Sequence, residues 1–312
     1  MTPRMPPRLS PERQPVRIRR GYTLVELIIA MTILGIMGTL VAQIMMSQQR
    51  FFQRMSEQSN VRRELRNTLG TLPTEMRGLS ATHGDISSFG ATALTFRSTI
   101  GTSILCDRPT STTIDAPPNN AARISLSNWV TMPGVGDTVF ALRHDSSGVV
   151  GDFWSAHRIT GVSTSSAFCP TSPYTDATLD AGKTRYRFTV TPGLADAVTA
   201  GAALRFTRSA RYELAAQSSG RWFLQRQEIQ GGLWTTPVVM SGPYVAPAIG
   251  GLSGFALTYF DSTGVAIAPG GDNRRIARID VVLRALAQAG SERNSTLPND
   301  SVRLSIAVRN RR

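Results

Sequence analysis

The sequence predicts an α+β fold in which one long N-terminal α-helix carries a β-rich C-terminal head. Positions 24–46 are almost continuously apolar, and the pattern continues as an amphipathic helix to about residue 79. From residue 80 onward, short alternating runs are separated by Gly, Ser, Thr and Pro, a pattern typical of strands. The domains predicted are therefore a basic segment at 1–21, a membrane-length helix at 22–46, its amphipathic continuation at 47–79 and a head at 80–312.

The apolar run is long enough to span a membrane. Its 23 positions cross a hydrocarbon core at about 1.5 Å rise per residue. Six arginines precede it against one glutamate, and such positive charge stays cytoplasmic, which sends the head outside. No small-residue A-x-A site closes the run, so cleavage by ordinary signal peptidase is not expected. We expect a single-pass protein of the cytoplasmic (inner) membrane.

One carboxylate, Glu26, lies near the start of this run. A carboxylate in the hydrocarbon core costs about 2.5 to 3.5 kcal/mol on insertion scales, so it needs a cationic partner. No base lies within the span. A processing boundary is available just upstream, at Gly21, where the absence of a side chain allows close approach by an enzyme.

The segment 21–26 reads Gly-Tyr-Thr-Leu-Val-Glu and resembles the class III leader junction of type IV pilins and type II secretion pseudopilins, commonly Gly-Phe-Thr-Leu-Xaa-Glu. The resemblance covers 19–46. It implies that a prepilin peptidase cuts between Gly21 and Tyr22, that Tyr22 is then methylated at its new amino group, and that Glu26 docks the subunit into a filament. The filament is assembled by an inner-membrane platform and contains other major and minor subunits.

The chemistry of the implied cleavage suits Glu26. A free α-amino group has a pKa near 7.7 to 8.0 and is largely cationic at neutral pH. If either the amino group or the Glu26 carboxylate were buried without its partner, the cost would be several kcal/mol. Pairing of the two charges therefore favours the correct axial register between neighbouring subunits. The chain departs from the family in having Tyr22 for Phe and Gln43 where many major pilins carry a proline. The alternative is a plain signal anchor that tolerates Glu26 near the membrane interface.

The chain is strongly basic, with a net charge of +13. Removing the leader's six arginines and one glutamate leaves 28 bases and 20 acids, a net charge of +8. Such an excess could attract nucleic acid or an acidic membrane surface. Because the arginines are scattered among acids, a solvated surface of mixed charge is the preferred interpretation, and nucleic acid is the less favoured partner.

The two cysteines, Cys106 and Cys169, both lie on the side predicted to be outside the cytoplasm, where thiols oxidise. We expect a disulfide between them, which in the chain-entropy model restricts the unfolded chain by about 4 kcal/mol. Two unrelated buried thiols are the alternative.

The amphipathic continuation carries apolar residues mostly three and four apart. Pro73 is expected to bend this helix or to begin a separate last turn, because it cannot donate an i to i−4 hydrogen bond. The apolar stripe should pack under the head; its members are Phe52, Met55, Val61, Leu65, Leu69, Leu72, Met76 and Leu79.

Nine runs in the head are predicted strands: 93–98, 138–143, 153–160, 184–191, 203–215, 222–229, 254–261, 276–287 and 301–308. The last two alternate most clearly and should be neighbours joined by a polar connection at 290–300. Together with 252–261, their strand pattern resembles the C-terminal half of PilW-like minor pilins and J-type minor pseudopilins. The region 100–220 resembles no named family.

The sequence contains none of the common metal-binding or catalytic-triad motifs. It has three histidines, no H-E-x-x-H, no paired C-x-x-C, no G-x-S-x-G and no phosphate loop. His144 with Asp145 and the serines after it is better explained as a turn than as a triad. The segment 270–273 lacks calcium-loop spacing and is read as a tight turn introduced by Pro269. We expect no enzyme, no cofactor and no metal site.

These expectations converge on a minor pilin or pseudopilin. The large head, roughly 230 residues, would crowd a tightly wound filament, which favours a subunit that primes or caps a type IV pilus or a type II secretion pseudopilus. Two alternatives stay open. One is a tip adhesin or DNA-binding pilin, and the other is an anchored envelope protein that never polymerises.

Overall fold

A computed structural model describes residues 21–121, 126–144, 152–169, 173–176, 178–247, 253–286 and 300–309. One α-helix, α1, runs from Leu24 to Arg77. The rest of the described chain is antiparallel sheet with a single 3-10 turn at Asn273–Arg275. The predicted α+β fold class is confirmed. The predicted basic segment 1–21, except for Gly21, lies outside the described residues. Most of the predicted polar connection at 290–300 also lies outside them.

The head contains fifteen strands within the described chain. Their bounds are β1 Ile86–Phe89, β2 Ala93–Ile104, β3 Thr113–Ala116, β4 Asn128–Trp129, β5 Thr138–Arg143, β6 Phe153–Ser165, β7 Arg185–Thr191, β8 Ala203–Ala216, β9 Trp222–Gln230, β10 Leu233–Trp234, β11 Val238–Tyr244, β12 Phe255–Phe260, β13 Ala266–Ile267, β14 Arg278–Ala285 and β15 Asp300–Ala307. The main path is β13-β12-β14-β11-β9-β8-β5-β6-β7-β3, with β2 also on β8 and β15 on β14.

Strand β8 joins two halves of the sheet. One of its edges pairs with β2 along nearly its whole length, while the other pairs first with β5 and then with β9. Leu204 and Phe206 near its start belong to one hydrophobic core, and Ala210 and Tyr212 further along belong to another. The first core, with β3, β5, β6 and β7, holds no α1 side chain among the described residues, whereas the second packs against α1.

The C-terminal part of α1 buries most of the predicted apolar stripe. Val61, Leu65, Leu72 and Met76 are all buried in the core that includes β12, β14 and β15. Burying such side chains stabilises the fold by about 1.5 to 3 kcal/mol each. Two members of the predicted stripe behave differently: Phe52 and Met55 are exposed, so this core begins further along the helix than the sequence predicted.

Pro73 does not begin a separate last turn, contrary to that part of the prediction. The helix continues through it to Arg77. Pro73 itself is buried, so packing against the sheet holds the backbone where one hydrogen-bond donor is missing. One residue further on, the Thr74 hydroxyl donates to the carbonyl oxygen of Gly70 at 2.9 Å. Whether the helix bends at Pro73 stays a prediction.

All nine predicted runs coincide with strands, and β2 and β6 extend further than predicted. The expected pairing of the last two runs is present, since β14 and β15 are antiparallel neighbours over eight residues each. The sequence missed β1, β3, β4, β10, β11 and β13. Of these, only β11 is longer than four residues and lies within the main path.

The predicted disulfide is present. Cys106 and Cys169 are bonded, with their Cα atoms 5.8 Å apart, and both residues are buried. The bond joins the segment after β2 to the segment after β6. It therefore closes a large loop within the head, as expected from the sequence.

The chain divides into two compact units, one ending at Met55 and the other running from Ser56 to Arg312. The second unit includes the last part of α1 together with the head. The four-segment division predicted from the sequence places its boundaries elsewhere, at 46 and 79, and stays a prediction.

Candidate functional site

The start of α1 is built by a helix cap. Gly21 and Tyr22 are exposed and non-helical, and the helix begins at Leu24. The Thr23 side-chain oxygen accepts a hydrogen bond from the backbone N–H of Glu26 at 3.3 Å, and the Thr23 carbonyl accepts from Leu27 N–H at 3.2 Å. This is the N-cap arrangement, which satisfies donors that a helix start otherwise leaves unpaired. Thr23 therefore fixes where the helix starts.

Glu26 occupies the third helical position, inside the first turn. A carboxylate there is stabilised by the positive end of the helix dipole, by about 0.3 to 1 kcal/mol at an exposed position. Among the described residues, no cation forms an ion pair with it. The structure thus places Gly21, Tyr22, Thr23 and Glu26 close together in the chain at the start of the helix. The Glu26 carboxylate is exposed and can accept a partner.

The side chains of the apolar part of α1 are exposed. Within the described residues, it is the one helix with a stretch long and apolar enough to cross a membrane, and none of that stretch is buried. Its hydroxyls are satisfied inside the helix: Thr32 donates to the carbonyl oxygen of Ile29 and Thr39 to that of Ile36, both at 2.8 Å. Such bonding lowers the cost of placing hydroxyls in a lipid or packed apolar environment. The helix is continuous at Gln43.

Residues 16–42 match the family model described as the prokaryotic N-terminal methylation motif. The motif supports a protein of the type IV pilin and pseudopilin family. The match covers Gly21, Tyr22, Thr23 and Glu26, so the capped helix start lies within the matched segment. Comparisons with curated proteins and with solved structures found no match. The family assignment therefore depends on the N-terminal segment.

The head keeps its buried aspartates neutralised. Six aspartates are buried in the part of the head that the structure describes, and each lies within 3.0 Å of an arginine or lysine nitrogen. The pairs are Asp85 with Arg205, Asp115 with Arg187, Asp137 with Arg208, Asp180 with Lys183, Asp261 with Arg275 and Asp280 with Arg303. Burial of a charge is tolerated when it is paired in this way.

The most enclosed pair lies on β8. Arg208 donates two hydrogen bonds to the carboxylate of Asp137, from Nε to Oδ1 at 2.9 Å and from Nη2 to Oδ2 at 2.7 Å. Both side chains are almost fully buried. Glu228 adds a second carboxylate at 3.5 Å. Hydrogen bonding to Asp137 raises the pKa of Arg208, although burial acts in the opposite direction. The pair is a structural ion pair between the two cores.

A second polar cluster fastens α1 to the sheet. The Tyr212 hydroxyl donates to Glu75 of α1 at 2.9 Å, and Arg226 approaches the same carboxylate at 3.2 Å. Burial, followed by the charge of Glu75, raises the pKa of Tyr212 well above its usual range. Tyr212 is therefore protonated at neutral pH and donates to Glu75, and the cluster positions the helix on the sheet.

Within the described residues, the contacts of His83 and His144 are not those of a Ser-His-Asp triad. The Ser80 hydroxyl lies 2.7 Å from Nδ1 of His83, but the buried Asp85 contacts the Ser80 backbone and Arg205. His144 contacts Asp152 at 2.8 Å on the surface, and the Asp145 considered beside it lies outside the described residues. No group of three or more His, Cys, Asp or Glu in the described chain could hold a metal ion. The motif itself indicates a structural protein.

Sequence reasoning found Gly21, Tyr22 and Glu26 but gave Thr23 no part. The signal was available, because Thr-x-x-Glu ahead of an apolar run is the pattern of a capping box. At the segment 270–273, Asp272 accepts from the backbone N–H of Arg274 at 3.0 Å and caps the short 3-10 turn. That capping explains the aspartate without a bound ion.

Proposed function

We propose that this protein is a minor pilin or pseudopilin that primes or caps a type IV pilus or a type II secretion pseudopilus. A prepilin peptidase removes residues 1–21, Tyr22 becomes the methylated first residue, and Glu26 docks the subunit against a neighbour. Before assembly, the protein is held in the cytoplasmic membrane by α1 with its head outside the cytoplasm. Its partners are the prepilin peptidase, other pilins or pseudopilins and the inner-membrane assembly platform.

The observation that carries this proposal is the open carboxylate of Glu26 on a fully exposed apolar helix. In an apolar environment an unpaired carboxylate is costly, and the amine freed at Tyr22 supplies a cation of the right sign. The two groups lie only four positions apart in the chain, at one end of the helix. A contact between neighbouring subunits at this end would satisfy both charges at once.

The minor role is supported by the head. Its large antiparallel sheet would crowd a tightly wound filament if it were repeated in every subunit. The β14 and β15 pair also matches the strand pattern on which the resemblance to PilW-like minor pilins and J-type minor pseudopilins was based. Both points favour a position at or near the filament tip.

The first test is Glu26→Ala in the native host. Processing should remain largely intact, because the cleavage boundary at Gly21 is unchanged. Incorporation into sheared filaments should fall by about tenfold or more, since an uncompensated amine costs several kcal/mol. Immunoblots of membrane and filament fractions measure incorporation, and the intact mass of the membrane protein measures cleavage and methylation.

Gln43→Ala is the matched control, because it changes a polar residue on the same helix without altering charge. It should assemble like the natural protein. Normal assembly of the Glu26 variant would remove the docking role. A native protein that retained residues 1–21 would contradict the whole proposal and favour the anchored envelope protein that never polymerises.

A ligand-binding role at the tip is the second candidate, and the +8 charge of the mature chain is the observation in its favour. The buried aspartates are occupied by internal pairs. DNA binding by the purified head should then weaken steeply as salt is raised from about 50 to 200 mM. Absence of binding at low salt would leave the assembly role alone.

A further inference from the structure

The exposed apolar surface of α1 continues beyond the predicted span. Phe51 and Phe52 are 59% and 68% exposed, and Met55 is 52% exposed. The two phenylalanine rings pack edge to face with their centroids 6.1 Å apart. Along the helix, Val61 is the first of the described side chains that is buried. Phe51, Phe52 and Met55 are therefore part of an exposed apolar surface.

This segment differs from the helix before it in having two faces. At helical spacing, Ile44, Phe51 and Met55 share one face, with Phe52 beside them, while Gln43, Ser47 and Arg50 follow another at intervals of four and three. All of these residues are exposed. Residues 44–55 are thus amphipathic, whereas 24–42 are apolar almost all around.

Length arithmetic places this segment beyond the hydrocarbon. From 24 to 55 the helix covers about 48 Å, whereas a hydrocarbon core is about 30 Å thick and about 40 to 45 Å with its headgroup regions. If Leu24 lies at one boundary of the core, roughly twenty residues bring the helix to Gln43 at the other. The next twelve residues extend the helix by about 18 Å, whereas the headgroup layer on one side is only about 5 to 7.5 Å thick. A tilt of the whole helix by about 40°, at the upper end of the range for membrane helices, brings residue 55 within that layer.

We propose that residues 44–55 form an interfacial segment that contacts the phospholipid surface on the side of the head, which rests on the membrane placement in the proposed function. In the helix tilted in this way, Phe51, Phe52 and Met55 lie at the boundary of the acyl chains, and Arg50 lies against lipid phosphate groups. The partner is an anionic phospholipid surface. Continuity with the span and the opposite charges of guanidinium and phosphate favour lipid over a soluble protein or DNA.

Collision accessibility of nitroxide labels tests this contact in the full-length protein. Labels are attached to Leu34→Cys, Gln48→Cys, Phe52→Cys and Ser59→Cys, and Gln48→Cys keeps both phenylalanines. Because both natural cysteines are bonded, each introduced thiol is labelled selectively. Vesicles contain phosphatidylcholine alone or with one quarter phosphatidylglycerol. Oxygen reports the apolar interior, and a water-soluble nickel complex reports the aqueous phase.

The labels at 48 and 52 should lie about 5 to 10 Å below the headgroup surface, with the label at 34 deeper and the label at 59 in water. Phosphatidylglycerol should increase the immersion at 48, and Arg50→Gln should abolish that increase while Arg63→Gln should not. Nickel accessibility at 48 and 52 equal to that at 59 would overturn the proposal. Protection from both reagents would also overturn it, because it would indicate a protein partner. Nickel access at 34 would instead remove the membrane span, and with it the proposed function.

Discussion

At the scale of single residues, Arg208 shows how this head tolerates charge in its interior. Its guanidinium lies in the middle of β8, between two hydrophobic cores, and both of its hydrogen bonds to Asp137 are short. Removing one partner of such a pair leaves the other charge buried without compensation. That loss is larger than the net contribution of the intact pair.

We therefore expect Asp137→Ala to lower the free energy of unfolding by about 3 to 5 kcal/mol. Urea unfolding of the head, followed by circular dichroism, measures the change. Asp196→Ala is the control, because that carboxylate also pairs with an arginine but is fully exposed, where ion pairs contribute little. Equal effects of the two substitutions would show that burial does not govern these pairs.

Asp280 gives a prediction that depends on pH. Burial alone would raise its pKa, but hydrogen bonds from Ser305 and Arg303 and the charges of nearby arginines outweigh burial, so the net pKa is lowered. A depressed carboxylate pKa in the folded state contributes stability that is present above the unfolded pKa, about 3.9. That contribution is lost as the pH falls through the folded value.

Asp280→Asn should consequently destabilise the head at pH 7, and the difference from the natural protein should shrink as the pH is lowered below about 4. Urea midpoints measured across that range provide the comparison. A constant difference at every pH would mean that packing of the side chain, and not its charge, stabilises the β14–β15 pair.

At the scale of elements, α1 is fastened to the sheet by hydroxyls as well as by apolar side chains. Thr68 on the helix donates to Ser241 of β11 at 2.7 Å, and the hydroxyl of Tyr244 lies 3.2 Å from Thr68 and 2.7 Å from Ser241. All three residues are buried. Because buried hydroxyls need partners, this cluster fixes the position of the helix on β11.

Thr68→Val keeps the shape of the side chain and removes its hydroxyl. We expect a loss of about 1 to 2 kcal/mol in the free energy of unfolding, since the other hydroxyls lose a buried partner. Thr71→Val is the control, as Thr71 is exposed and its hydroxyl bonds only within the helix. Thermal unfolding of both variants would decide, and equal melting temperatures would contradict a fastening role for the cluster.

The elements that the sequence revealed are those whose pattern is local. The alternation in β14 and β15 reports one buried face directly, and the spacing of Val61, Leu65 and Leu72 reports one helix face. Likewise, a cleavage boundary at Gly21 and a docking role for Glu26 could be predicted because a short motif covers both residues.

Strand β11 could not be found in this way, because its sequence contains Ser-Gly-Pro. Proline and glycine argue against a strand inside a sheet. The structure accommodates them with register shifts on either side of Ser241, and Gly242 has a φ of +142° with the ring of Phe223 only 2.7 Å from where a Cβ would lie. Only long-range packing against β9 reveals that this segment pairs.

At the scale of the whole molecule, the division at Met55 and Ser56 has a direct consequence for folding. The second unit contains both hydrophobic cores, the disulfide and the last part of α1. The described part of the first unit, residues 21–55, contains the exposed apolar part of α1 and contributes none of the buried core residues. The head therefore carries its own stabilising contacts.

A chain that starts at Ser56 should fold as a soluble, disulfide-bonded domain with one cooperative unfolding transition. A chain that starts at Ser80 should not, because it lacks the buried Val61, Leu65, Leu72 and Met76, each worth about 2 to 5 kcal/mol by truncation data. Size-exclusion chromatography and calorimetry distinguish the two outcomes. Cooperative folding of the shorter chain would show that the helix is dispensable to the head.

The two cores along β8 also bear on how such a head can diverge. The core built from β3, β5, β6 and β7 shares two strands, β2 and β8, with the helix-bearing core. A substitution there reaches the helix by way of those two strands. Substitutions in the outer half of the head, including the cystine-linked segments, can therefore change that half while the contacts between the helix and the other core stay as they are.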